Sequence, residues 1–100
     1  MHLYNRINSD ELKQKLREET FARKTISFYR YFYLENPQEL RDLIFRDWFS
    51  LECFGRIYVA REGINAQMSV PEHLFEEFLK TLDKYDILKN IPIKYAIEDD

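Results

Sequence analysis

Glycine and proline are scarce in this chain, at two and three residues in one hundred. A flexible linker or a disordered chain is therefore excluded. Cysteine is scarcer still: Cys53 stands alone, so no internal disulfide can form, which fits a reducing compartment. No apolar run approaches the ~20 residues that cross a bilayer. The first residues, MHLYNRINSDELKQ, lack the apolar stretch of a signal peptide. A cytoplasmic location with no membrane partner is the expectation. An excess of positive charge is missing too, with 15 basic against 18 acidic residues and a net charge of -3. That argues against gripping nucleic acid by bulk charge and leaves only a local patch open. There is no internal repeat and no low-complexity segment.

What the chain does have is apolar and aromatic substance, 45% and 16% of residues, enough for the core of one small domain. Residues 1–22 read as an N-terminal extension, with Ser9 capping a short helix over Asp10–Glu19 whose stripe is only Leu12 and Leu16. Residues 24–34, KTISFYRYFYL, are β-branched and aromatic without a breaker, and predict a strand. Alternation places Ile26, Phe28, Arg30 and Phe32 on its core face. Thr25, Ser27, Tyr29, Tyr31 and Tyr33 fall on the other.

A helix follows, with Asn36 as N-cap, Pro37 at the first position and Glu39 three residues past the cap. Leu40, Ile44, Trp48 and Leu51 form its stripe, widened by Leu43 and Phe45, and Gly55 is expected to stop it. Phe54 to Val70 then reads as a hairpin turning at Glu62-Gly63, with a positive φ at Gly63. Ile57, Val59, Ile64, Ala66, Met68 and Val70 face a core, while Arg56, Tyr58, Ala60, Asn65, Gln67 and Ser69 face away. Pro71 is expected to open a second helix with a stripe of Leu74, Phe75, Phe78, Leu79 and Leu82. A last strand, IPIKYAI, points Ile93, Tyr95 and Ile97 inward and Lys94 outward.

The order over residues 23–100 is β-α-β-β-α-β. It predicts an α+β, ferredoxin-like sandwich: a four-stranded antiparallel sheet of order 4-1-3-2 with both helices on one face. The other face has no helix to cover it and should carry Tyr29, Tyr31, Arg56, Tyr58, Asn65, Gln67 and Lys94. Rings among amides and cations can stack bases and hydrogen-bond their edges. Another domain or a second copy of the chain can cover such a face equally well. The residues alone favour that covered reading slightly, because the Gly-aromatic signature of RNA-recognition motifs is lacking.

Arg23, Lys24 and Arg30, with Arg56 and Arg61, form a basic cluster that reads either as a phosphate site or as solvated strand ends. Cys53 has no nearby His and reads as a buried structural thiol. His2 and His73 have no companions at metal spacing. Acylphosphatase chemistry would want a glycine-rich phosphate loop with an arginine after the first strand, but Leu34-Glu35-Asn36-Pro37 brings an acid and no glycine. No catalytic, metal or cofactor site is expected.

RKTISFYRYF (23–32) and FGRIYVAREGINAQMSVP (54–71), preceded by YNRI (4–7), resemble the N-terminal, acylphosphatase-like domain of the bacterial rhodanese-like tRNA uridine hydroxylases. The EGINAQ hexapeptide carries most of that likeness. The resemblance implies a parent that installs 5-hydroxyuridine at the tRNA wobble position using oxygen. Its active cysteine would lie in a downstream rhodanese domain absent from this chain, so no catalytic residue carries over and Cys53 is not that cysteine. The ending on Glu98-Asp99-Asp100 fits a cut at a domain boundary. The implied partners are tRNA and the rhodanese domain of the same protein. The expected role is tRNA positioning, or alternatively interdomain or dimer packing that never touches RNA.

Overall fold

The computed structural model describes residues 2–3, 18 and 20–96. The helix expected over Asp10–Glu19 (all but Glu18) and the inward side chain expected of Ile97 lie outside them. The elements in chain order are β1 (His2–Leu3), β2 (Arg23–Tyr31), α1 (Pro37–Ser50), β3 (Phe54–Ala60), β4 (Gly63–Pro71), α2 (Phe75–Leu82) and β5 (Lys94–Tyr95). Every strand pair is antiparallel, and the sheet order is β1-β3-β4-β2-β5. Counted from β2, the last four strands follow the expected ferredoxin-like order, and β1 adds a two-residue strand outside β3.

The expected cap sets α1: the side-chain Oδ1 of Asn36 accepts the Glu39 N–H at 3.2 Å, with Pro37 in the first turn. Leu40, Ile44 and Trp48 are buried, at the four-residue spacing that makes one helix stripe. They meet Ile26, Phe28, Ile57, Ile64, Ala66, Met68 and Val70 from the sheet and Phe75, Phe78 and Leu82 from α2. Trp48 is the wedge among these layers. Its ring stands edge-on to Phe28 at 6.1 Å and tilted to Phe78 at 5.5 Å. Its indole N–H donates to the Thr81 hydroxyl at 2.9 Å, which donates in turn to the Phe78 carbonyl at 2.6 Å. The buried polar atom is thus satisfied and ties α1 to α2.

Several boundaries differ from the sequence expectation, each for a visible reason. The helix stop is not Gly55. α1 ends at Ser50, and the chain reverses at Glu52, φ 59°, with the Glu52 N–H bonded to the Phe49 carbonyl. Gly55 lies inside β3, where a Cβ would sit 2.1 Å from the Gln67 carbonyl oxygen. The hairpin turns at Arg61-Glu62, because Ala60 already pairs with Gly63. Gly63 does take a positive φ, 141°, and a Cβ there would meet the Arg30 carbonyl oxygen at 2.1 Å.

Pro71 closes β4 opposite Arg23 rather than opening a helix. The Glu72 N–H continues the contact to the Ala22 carbonyl, and a 3-10 turn over Glu72–Leu74 precedes α2. Leu79 is exposed, one step round the helix from the buried line of Phe75, Phe78 and Leu82. Phe32 is 48% exposed, since β2 ends at Tyr31 and the Phe32 N–H turns to the Glu62 carbonyl. Tyr95 lies on the helix side of a two-residue strand at the sheet edge, against Phe75 at 5.9 Å, yet stays 56% exposed.

Gly55→Ala and Gly63→Ala each combine a strained φ with a backbone clash, and strain of that kind costs roughly 1–3 kcal/mol. Urea unfolding is expected to show a lowered midpoint for both, while Gln67→Ala on the exposed side leaves the midpoint nearly unchanged.

Candidate nucleic-acid interface

Two helices cover one side of the sheet, and alternation sends every second strand residue to the other. Tyr29, Tyr31 and Tyr58 stand there at 57%, 84% and 58% exposure, with Arg56, Asn65, Gln67 and Lys94 also exposed. All seven residues singled out from the sequence are brought to this one face. Strand register arranges them in rows. Tyr29 pairs with Asn65, which pairs on its other side with Tyr58. The next row runs Lys94, Ser27, Gln67, Arg56. Beyond the first row, Tyr31 meets Tyr29 edge-on with ring centroids 6.0 Å apart.

Two open concavities run along these rows. One, of about 350 Å³, is lined by Tyr29, Tyr31, Tyr58, Glu62 and Asn65 among others. The other, of about 460 Å³, is lined by Ser27, Tyr29, Asn65, Gln67, Pro92 and Lys94 among others. They share Tyr29 and Asn65, so the hollows meet at the tyrosine–amide row. Glu62 and Pro92 come from a turn and a loop, where strand periodicity gives no signal.

The charge on the strands of this face is one-sided, and Glu62, from the turn, is the acid that lines the tyrosine hollow. None of the described strands contains an Asp or Glu, although the chain as a whole is acidic. Arg56 and Lys94 are the cations on the open rows, and among the described residues neither makes an ion pair. The wider basic cluster does not form. Arg23 and Arg30 sit toward opposite ends of β2 and are engaged elsewhere. Arg23 donates to the Glu52 carbonyl at 2.9 Å and covers the Phe54 ring at 3.8 Å. Phe54 shares the open face by alternation but is only 7% exposed for that reason. Arg30, which interrupts the core face, reaches the Ile87 and Lys89 carbonyls at 2.9 and 2.8 Å. Lys24 lies over the Phe75 and Tyr95 rings, and Arg61 occupies the hairpin turn.

The segment after β2 is no anion cradle. The Phe32 and Leu34 N–H groups are spent on the Glu62 and Arg61 carbonyls, and Asn36 caps α1. Cys53 is fully buried, and burial pushes its thiol up to about 12 against the opposing charge of Arg23. His73 is exposed, edge-on to Phe21 at 4.8 Å. Among the described residues no three His, Cys, Asp or Glu side chains group as they would around a metal ion. No described helix is long and apolar enough to cross a membrane.

The strongest titratable coupling sits on the helix side. Asp47 accepts the Tyr85 hydroxyl at 2.6 Å and the Lys84 ammonium at 2.9 Å. Burial acts to raise the Asp47 carboxyl. The hydrogen bonds from Tyr85 and Lys84, with the charges of Lys84 and Arg46, outweigh it and hold the group below its ordinary value. Burial, then the bond to Asp47 and its charge, push Tyr85 up to about 12. This pair joins α1 to the segment after α2, away from the tyrosine rows.

Residues 23–100 match the model of a family described as the UPF0176 acylphosphatase like domain. The chain is 50% identical over 98 residues to the tRNA uridine(34) hydroxylase of Leptospira interrogans, an alignment covering 98% of this chain and 27% of that protein. To the tRNA uridine(34) hydroxylase of Salmonella typhimurium it is 46% identical over 99 residues, covering 98% and 28%. The chain therefore spans little more than a quarter of the length of the curated relatives it matches.

A carboxyl whose folded pKa lies below its unfolded value, about 4, stabilises the fold fully above that value and loses the effect as pH falls through the folded one. Asp47→Asn is therefore expected to lower the urea midpoint at pH 7, with the gap to the parent closing below about pH 4. Tyr85 is shifted upward, so its contribution is complete below about pH 10 and is lost as pH rises toward about 12. Tyr85→Phe is expected to flatten the loss of stability across that alkaline interval.

Proposed function

The chain belongs to the family of the UPF0176 acylphosphatase-like domain, and from that membership we propose that it is a non-catalytic, RNA-positioning domain of a tRNA-modifying protein. The observation that carries this reading is the open face. Three exposed tyrosines, two cations that make no ion pair among the described residues and two amides share one side of a sheet whose described strands hold no acid. Aromatic rings give bases a stacking surface whatever their sequence, and nearby cations attract the phosphate chain. The formal charges on the described strands are all positive, and those of Arg56 and Lys94 attract the phosphates of an approaching polyanion.

In this reading the chemistry belongs to the part of the longer relatives that this chain does not span. The reaction, as the relatives' name describes it, is hydroxylation of a tRNA uridine; the resemblance adds oxygen as co-substrate and a rhodanese-like domain as its seat. This chain's contribution is to hold the substrate. Its partners are then tRNA and that second domain, in the cytoplasm.

Titration of tRNA into the chain at two salt concentrations tests the proposal. Tyr29→Ala and Tyr31→Ala are each expected to cost roughly 1–3 kcal/mol of binding. Lys94→Ala is expected to weaken binding and reduce the salt slope by about 1. Absence of binding at low salt, or binding indifferent to all three substitutions, would assign the face to contact with protein instead.

A further inference from the structure

Resting on that RNA reading, we propose that Asn65, bracketed by Tyr29 and Tyr58, is the floor of a subsite for one unpaired nucleobase. The base stacks on the tyrosine rings, and the Asn65 amide hydrogen-bonds its Watson–Crick edge. The register is the first reason. Asn65 lies on a central strand with Tyr29 paired on one side and Tyr58 on the other. Neighbouring strands stand about 4.8 Å apart, so the two tyrosine backbones are roughly 9.6 Å apart across the amide. That separation leaves room for a planar base between the two side chains. The about 350 Å³ hollow is lined by these three side chains.

The second reason is hydrogen bonding. The polar side chains Asn36, Gln38, Trp48, Thr81 and Tyr85 all have partners within the fold. Among the described residues the Asn65 side chain has none. An amide offers a donor and an acceptor side by side. Each nucleobase presents a complementary pair on its Watson–Crick edge, and in a duplex that edge is occupied by the opposite strand. The site therefore selects unpaired over paired RNA. Because the amide can be turned either way, it admits more than one base.

The third reason is the placement of charge. The row of Tyr29, Asn65 and Tyr58 holds no cation, and Glu62 lines the same hollow, which suits a neutral base rather than a phosphate. Arg56 and Lys94 stand in the next row, one pleat repeat or about 6.6 Å along the strands. There they meet the sugar–phosphate chain as it leaves the base.

The test uses three RNA probes: a single-stranded decamer of uridine, its duplex with an adenosine decamer under conditions that keep it paired, and a decamer of 3-methyluridine, whose edge donor is blocked. Binding is measured for the parent chain, Asn65→Leu and Asn65→Gln. The parent is expected to prefer the uridine decamer over the duplex. It should lose roughly two- to tenfold on 3-methylation, the range of one net hydrogen bond. Asn65→Leu is expected to bind the two single strands equally and more weakly than the parent binds uridine, while Asn65→Gln retains sensitivity to the methyl group. Equal binding of single strand and duplex, or a parent indifferent to 3-methylation, overturns the subsite while RNA binding itself stands. A parent that binds none of the three probes overturns the RNA reading and this subsite together.

Discussion

The long ladder between β2 and β4 is the constraint on which the rest depends. It pairs residue with residue from Arg23↔Pro71 to Tyr31↔Gly63 without a break. A slip of one residue would turn every side chain of a strand to the opposite face. The same register that seals Ile26, Phe28, Ala66 and Met68 under the helices therefore presents Tyr29 and Asn65 on the other side. The close passage at Gly63 serves that ladder and the one at Gly55 serves the ladder between β3 and β4: each lets one strand lie against a neighbouring carbonyl with no side chain between them.

Much of this was legible in the sequence. Period-two alternation assigned the open face correctly, because a strand's geometry is nearly independent of what surrounds it. The cap at Asn36 and Pro37 was legible for a similar reason, being local chemistry. What escaped was set by neighbours distant in sequence. Pro71 looks like a helix start until Arg23 pairs with it and Ala22 accepts the next N–H. Phe32 looks like core until the chain bends to the hairpin turn. Arg23, Lys24 and Arg30 look like one patch because sequence proximity hides that Arg23 and Arg30 are committed to carbonyls in different parts of the fold.

The polar groups divide in the same way. On the helix side they are matched within the fold: Trp48 to Thr81, Tyr85 and Lys84 to Asp47, Arg30 to the Ile87 carbonyl. Those contacts hold the two helices and the chain after them to the sheet, and each would leave an unsatisfied group if one partner were removed. On the open side the amides and cations are matched to nothing in the described chain. Groups of the second kind contribute little to stability.

That division sets how the domain can change over generations. Tyr29, Tyr58 and Asn65 are exposed and outside the core cluster, so descendants can change that face without jeopardising the fold. Trp48, Gly55 and Gly63 have no such latitude, since their alternatives meet packed rings or backbone oxygens. One face of a single sheet is thereby free to drift while the other is held nearly fixed by steric necessity.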